Sequence, residues 1–242
     1  MECFTIYDER HQWHIFGRDP SKSEKIIDTN QCMIVNEGQA ILLDPGGIEL
    51  FAPMLAAISK KIEVESLKTL FASHQDPDVI SSLGLWDQVL TDAKLYSSGL
   101  WESYIRHFGV NNIEYAQVAD SGCYINLLGL NLEVVPAHYL HSSANFHIYD
   151  SVAKVFFSGD VGAALEEPGS GLYVEDFDSH IQYMKFFHQR WMPSEIAKQA
   201  WIKRVRDLDI EMLVPQHGRI FKGEEVGLFL DWFESLPVGI AV

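Results

Sequence analysis

The chain has 242 residues, 47% of them hydrophobic, and a formal net charge of −16. That length fills a sizeable core without staples, and the acidic surface repels phosphate backbones, which disfavours nucleic acid as a partner. Three cysteines (Cys3, Cys32, Cys123) with no CxxC pair argue against a disulfide framework or a thiolate metal site, and the absence of both a bilayer-length apolar run and a signal-peptide pattern at the acidic start, Glu2, predicts a cytoplasmic protein that does not engage a membrane.

No linker, repeat or low-complexity tract interrupts residues 1–242, which read as one domain. Apolar residues 32–35 and 40–43 flank Asn36-Glu37-Gly38 and predict a hairpin, ended by Asp44-Pro45-Gly46-Gly47. Phe51, Leu55, Ile58 and Ile62 recur at helical spacing, which predicts a helix over about 50–61 with Pro53 in its first turn. Residues 70–72 predict a buried strand that runs into Ser73-His74-Gln75-Asp76-Pro77-Asp78, and Asp78 is placed to cap a helix over 79–90. Asp120-Ser121-Gly122 is a turn before strands over 123–128 and 130–135. Further strands are expected over 152–157 and 210–214, with a helix opened between them by Pro193, Ser194 and Glu195. Two runs of strands, each followed by helices, predict an α/β fold of two sheets covered by helices on their outer faces.

One layout recurs four times along the chain: an apolar strand, then a metal-type donor, then a loop. The first copy carries His74, Asp76 and Asp78 at alternate positions, where an extended backbone points all three the same way. The same stretch also fits a turn in which Pro77 sets the backbone and Asp78 caps a helix. The second copy carries His141, with His138 and His147 as rivals. The third, Val155-Phe156-Phe157-Ser158-Gly159-Asp160, presents a carboxylate that is costly to bury without a partner. A metal pair bridged by Asp160 removes that cost, and so does a hydrogen-bonded turn. The fourth ends in Pro215-Gln216-His217-Gly218, where Gly218 permits a tight turn. Six nitrogen and oxygen donors at strand ends suffice for two cations.

At these residues the chain resembles the metallo-β-lactamase superfamily, over most of its length. The first motif of that superfamily, HxHxDH, stands here as His74-Gln75-Asp76-Pro77-Asp78-Val79. A carboxylate replaces the second His and Val79 the last, while Tyr139-Leu140-His141-Ser142-Ser143 replaces the usual GHTPGS-type segment. Ser158-Gly159-Asp160 and Pro215-Gln216-His217-Gly218 match well. The resemblance implies an αββα sandwich of the metallo-β-lactamase type. Within the superfamily the departures resemble the diiron core of flavodiiron proteins, with their HxExDH motif. By that resemblance one iron takes His74, Asp76, His141 and Asp160, and the other takes Asp78, Asp160 and His217. The likeness is greatest to small oxygen-binding diiron proteins without a flavodoxin domain, and the end at Val242 leaves no FMN-binding segment to expect.

A carboxylate-rich nitrogen and oxygen set suits iron or manganese, with zinc still open. Val79 cannot ligate, which leaves an open metal position for O2 or water. The expected function is therefore binding or reduction of O2 by a non-haem diiron centre, in sensing or scavenging, with nitric oxide as an alternative ligand. A dinuclear hydrolase of an ester, lactone or phosphodiester is the competing expectation, and a metal-braced interaction module the third. A redox or signalling protein and a second copy in a homodimer are the expected partners. Asp44, His138, Tyr139 and His147 are the candidates to orient the imidazoles.

Overall fold

A seven-stranded sheet organises the first half of the chain, and its parallel part places the first donors. The computed structural model describes residues 1–17, 25–166 and 171–240. Its contacts divide into two compact units, Met1–Asn131 and Leu132–Val242.

In the first unit, β1 (Cys3–Asp8), β2 (Gln12–Phe16), β3 (Gln31–Asn36) and β4 (Gln39–Leu43) form an antiparallel meander. The β3–β4 hairpin is the expected one. Its two turn residues, Glu37 and Gly38, both have positive φ (46° and 82°), the two-residue turn whose twist matches the flanking strands. From β4 onward the sheet is parallel, through β5 (Leu67–Phe71), β6 (Lys94–Ser98) and β7 (Glu114–Val118). Parallel neighbours need crossovers, and helices supply them: α1 (Phe51–Ile58) after β4, α2 (Pro77–Ile80) and α3 (Leu83–Val89) after β5, and α4 (Glu102–Arg106) after β6.

The single helix expected over 79–90 is two helices. Asp76 is the N-cap of α2, Pro77 takes its first position, and Asp78 follows within the first turn rather than capping it. Proline fits there because its fixed φ is helical and its missing N–H would be unpaired anyway. Ser81 and Ser82 separate the two helices. The Ser82 hydroxyl donates to the Pro45 carbonyl, and the Ile48 amide donates to the Ser81 hydroxyl.

The hairpin of β8 (Cys123–Leu127) and β9 (Leu130–Pro136) straddles the boundary between the units. Leu128 and Gly129 form its turn, again with φ positive at both, 47° and 89°. The second sheet continues through β10 (Phe146–Asp150), β11 (Val155–Phe157), β12 (Met212–Val214) and β13 (Phe221–Lys222), in the order β13-β12-β11-β10-β9-β8. The parallel pair β11 and β12 is joined by α5 (Phe177–Trp191) and α6 (Glu195–Val205), and α7 (Glu224–Ser235) closes the unit. Helix α6 opens where Pro193, Ser194 and Glu195 predict, and Ser194 caps it, its hydroxyl accepting from the Ala197 amide at 3.1 Å.

Strand β11 is shorter than the expected 152–157. The Asp150 carboxylate accepts from the amides of Val152 and Ala153 (3.0 and 3.1 Å), which turns the chain before Val155 can extend. The core of this unit gathers Phe156, Met184, Trp201, Phe221, Phe229 and Phe233, all buried.

Candidate metal centre

The donors of the first unit leave the C-terminal ends of adjacent parallel strands. Leu43 of β4 lies beside Phe71 of β5, and the Asp44 amide donates to the Phe71 carbonyl at 2.8 Å. Asp44 is wholly buried and has a left-handed backbone, φ 46°. Its carboxylate accepts from both the amide and the hydroxyl of Ser73, each at 2.7 Å. The Ser73 oxygen, having given its proton to Asp44, receives one from His74 Nδ1 at 2.8 Å. That chain of donors fixes the tautomer of His74 and leaves the Nε2 lone pair for a cation. His74 Nε2 lies 3.7 Å from Asp76 Oδ2. Asp78 stands on the first turn of α2. Val79 is fully buried, an apolar side chain where the superfamily pattern puts its last histidine.

In the second unit, three donors converge through Asp160. Asp160 Oδ2 is 2.6 Å from His141 Nε2, and its other oxygen, Oδ1, is 3.3 Å from His217 Nε2. One carboxylate thus addresses two imidazoles with two different oxygens, the disposition of a bridging ligand between two cations. Backbone hydrogen bonds tie the Asp160 turn to the His217 loop: the Gln216 amide donates to the Gly159 carbonyl at 2.7 Å and the Ala164 amide to the His217 carbonyl at 3.1 Å. Gly218 has φ 83°, and a Cβ there would lie 2.6 Å from the Ala164 Cβ, so only glycine fits this approach. The His141 loop is held by Asn145, whose side-chain amide donates to the Leu140 carbonyl while its backbone carbonyl accepts from the Ala137 amide.

Charged groups brace the His217 loop on its other side. Arg219 donates through Nε and Nη2 to Glu166 Oε1, at 2.8 and 2.6 Å, and His180 Nδ1 lies 3.6 Å from the same oxygen. Burial pushes the Glu166 carboxyl up, and the nearby His180 imidazole together with the hydrogen bonds from Arg219 overcomes it, holding the group at about 2.

The rivals of His141 have other occupations. His147 is buried on β10 between Phe156 and Trp201, and its Nδ1 accepts from the Trp201 indole N–H at 3.0 Å. The His138 ring meets the Phe146 ring edge to face at 5.1 Å. Of the four expected orienting residues, Asp44 is joined to a candidate donor, through Ser73. Sequence reasoning passed over Ser73 itself, although it stands beside His74, and it also passed over Arg219 and His188.

The donor set fits a pair of iron ions: imidazole and carboxylate groups with no thiolate, one carboxylate shared between two imidazoles, and a histidine held with Nε2 unprotonated. A family model described as ODP family beta lactamase matches residues 27–218. The chain belongs to the ODP beta-lactamase family. This ODP-family chain is similar to a structure described as the peroxy diiron species of chemotaxis sensor ODP, at 36% identity and a TM-score of 0.87, covering 99% of this chain and 97% of that one. It is likewise similar to the apo state of chemotaxis sensor ODP from T. denticola, at 37% identity and a TM-score of 0.88, covering 98% and 96%. Rubredoxin oxygen:oxidoreductase from Desulfovibrio gigas shares the fold, with a TM-score of 0.85 at 17% identity over 96% of this chain and 61% of that one. The α/β, two-sheet, metallo-β-lactamase-type fold expected from the motifs is therefore the fold of this family member. An uncharacterized protein of Methanocaldococcus jannaschii, MJ0732, is 22% identical over 198 residues, which are 80% of this chain and 49% of that protein. The chain thus spans about half the length of the curated relative it matches. Among the described residues, no helix is long and apolar enough to cross a membrane.

Proposed function

We propose that this protein is a non-haem diiron O2-binding protein that works as a sensor, with His74, Asp76, Asp78, His141, Asp160 and His217 as its metal ligands. The observation that carries the reading is the 36% identity to chemotaxis sensor ODP over nearly the full length of both chains. The disposition of Asp160 between His141 and His217 supports it. In this reading residues 1–242 act as one functional domain.

The ligand roles follow the donors. Asp160 would be held in common by both irons; His74, Asp76 and His141 would hold one, and Asp78 and His217 the other. When bound, the iron pair supplies the electrons and the open coordination position that O2 chemistry needs. The chain's own residues do the rest. Asp44 and Ser73 hold His74 with its Nδ1 proton engaged. The buried Val79 contributes no donor where a histidine would fill the second iron's shell. Nitric oxide is an alternative ligand for the same open position. We place the protein in the cytoplasm, reading oxygen for a signalling protein, and take a homodimer as its assembly.

The test is anaerobic loading with Fe(II), followed by O2. We expect two irons per chain and a new visible absorption band that forms on O2 addition and is absent from Asp160→Ala. A wild-type protein that binds no iron pair, or binds it and gives no O2-dependent band, overturns the reading.

A further inference from the structure

His188 sits near the C-terminal end of α5, outside the six proposed ligands. It is wholly buried. The rings of Phe187, Phe229, Trp232 and Phe233 surround it at centroid distances of 5.6, 6.2, 5.5 and 5.2 Å. In that apolar box both of its nitrogens are engaged. Nδ1 is 2.9 Å from the Met184 carbonyl, which can only accept, so Nδ1 carries the proton. Nε2 then offers a lone pair, and the Gly162 amide donates to it at 2.9 Å. A neutral imidazole in one tautomer therefore joins the helix backbone to a loop.

That loop is the Asp160 turn. Gly162 lies two residues beyond Asp160, with φ 94°. Inside the turn, the Ser158 hydroxyl donates to the Val161 carbonyl at 2.6 Å and the Val161 amide to the Ser158 carbonyl at 3.0 Å. The Gly162 amide faces outward from it, onto His188. The neighbouring positions of α5 meet the other two donors of this unit. The Phe187 ring is 6.4 Å from His217, and the Trp191 ring is 5.3 Å from His141. One stretch of helix thus touches the segments of all three.

We propose that His188 is a positioning residue for the bridging carboxylate: by accepting the Gly162 N–H it sets the turn that aims the two oxygens of Asp160 at separate cations. It governs metal-pair affinity without touching either ion. The inference rests on the functional reading above.

Two substitutions separate this role from mere filling of the core. His188→Gln reaches the Nε2 position with an amide oxygen and keeps an acceptor for Gly162. His188→Asn reaches only the Nδ1 position and leaves Gly162 without one. Each buries one amide in the same aromatic box. Both variants and the wild type are titrated with Zn(II), and anaerobically with Fe(II), by calorimetry, with circular dichroism to establish folding. We expect the Gln variant to hold two ions within about threefold of wild-type affinity and the Asn variant to bind them roughly 10- to 100-fold more weakly, the range for lost outer partners of metal ligands. Equal affinity in the Asn variant and the wild type overturns the inference, and so does an equal loss in both variants. Should neither variant fold, the wild type decides by nitrogen-15 NMR. Zn(II) should shift the Gly162 amide and the His188 Nε2 resonance while Nδ1 stays protonated, and unmoved signals overturn the inference. A wild type that takes up no ion sinks the functional reading as well, whereas a wild type that loads two while the Asn variant loads them equally well sinks this inference alone.

Discussion

Ser73 works through two protons. Its amide and hydroxyl both point at Asp44, and its oxygen then serves as the acceptor for His74 Nδ1. Replacement by alanine keeps the backbone bond to Asp44 and removes the acceptor for His74. We expect Ser73→Ala to fold with a stability within about 1–2 kcal/mol of wild type and to bind Fe(II) or Zn(II) about 10- to 100-fold more weakly, read by anaerobic calorimetry. Wild-type affinity in that variant would show that His74 needs no such orientation. Asp44 was legible as a candidate because it ends a strand with a sharp turn. The route from it to His74 was not, because Asp44 and Ser73 are distant in the chain and meet only where β4 and β5 lie side by side.

Among the elements, α5 was the one most thoroughly hidden. Its buried positions are Phe177, His180, Met184, Phe187 and His188. Their spacing is helical, yet two of the five are histidines, so a count of apolar residues misses the face. Each histidine is buried with a partner that the sequence cannot supply locally: Glu166 for His180, and Gly162 for His188. Helix α6 is similar at Lys198, which is wholly buried. Its ammonium donates to the carbonyls of Glu234 and Leu236, at the end of α7, and pairs with Glu195. Terminal helix carbonyls need such donors once water is excluded. The Glu234 carbonyl also accepts from the Gln199 side-chain amide at 3.0 Å, so Lys198→Met strips the donor from the Leu236 carbonyl. The variant should destabilise by about 1–3 kcal/mol, the cost of one buried acceptor left unpaired, measured by urea unfolding. A loss under about 0.5 kcal/mol would place that carbonyl in contact with water after all. In the loop after β12, Gly218→Ala adds a Cβ 2.9 Å from the Ala164 carbonyl at φ 83°. The expected loss is about 1–3 kcal/mol, and an unchanged melting temperature would contradict the close approach.

At the scale of the whole molecule, acid should act in two stages. Burial drives the His188 imidazole down to about 4, against the hydrogen bond to Met184 and the charge of Asp160. In the unfolded chain an imidazole titrates near about 6.5. Stability from this group is thus complete above that value and is lost as pH falls from roughly 6.5 to 4, where the folded protein excludes a proton that the unfolded chain accepts. Glu166, held at about 2, contributes stability that is present above the unfolded carboxylate range and is lost as pH falls from that range towards 2. Urea unfolding of the metal-free protein between pH 7.5 and 4 should therefore show a decline beginning near 6.5, and His188→Gln should flatten that first stage. A decline that starts only below about 4.5 would remove His188 from the account.

The sequence by itself determined the donor types, their order and their places at the ends of apolar strands. It also determined the β3–β4 hairpin and the start of α6. Those features depend on neighbours a few residues apart, whose effects on backbone and burial are local. Only the tertiary structure decided which nitrogen of each imidazole is engaged, that Asp160 presents separate oxygens to His141 and His217, and that His147 belongs to the core beside Trp201. The physical reason is that a hydrogen bond's direction is fixed by its partner. Here partners of the histidines stand far away in the chain, 54 residues for Trp201 and His147, and folding alone brings them within reach.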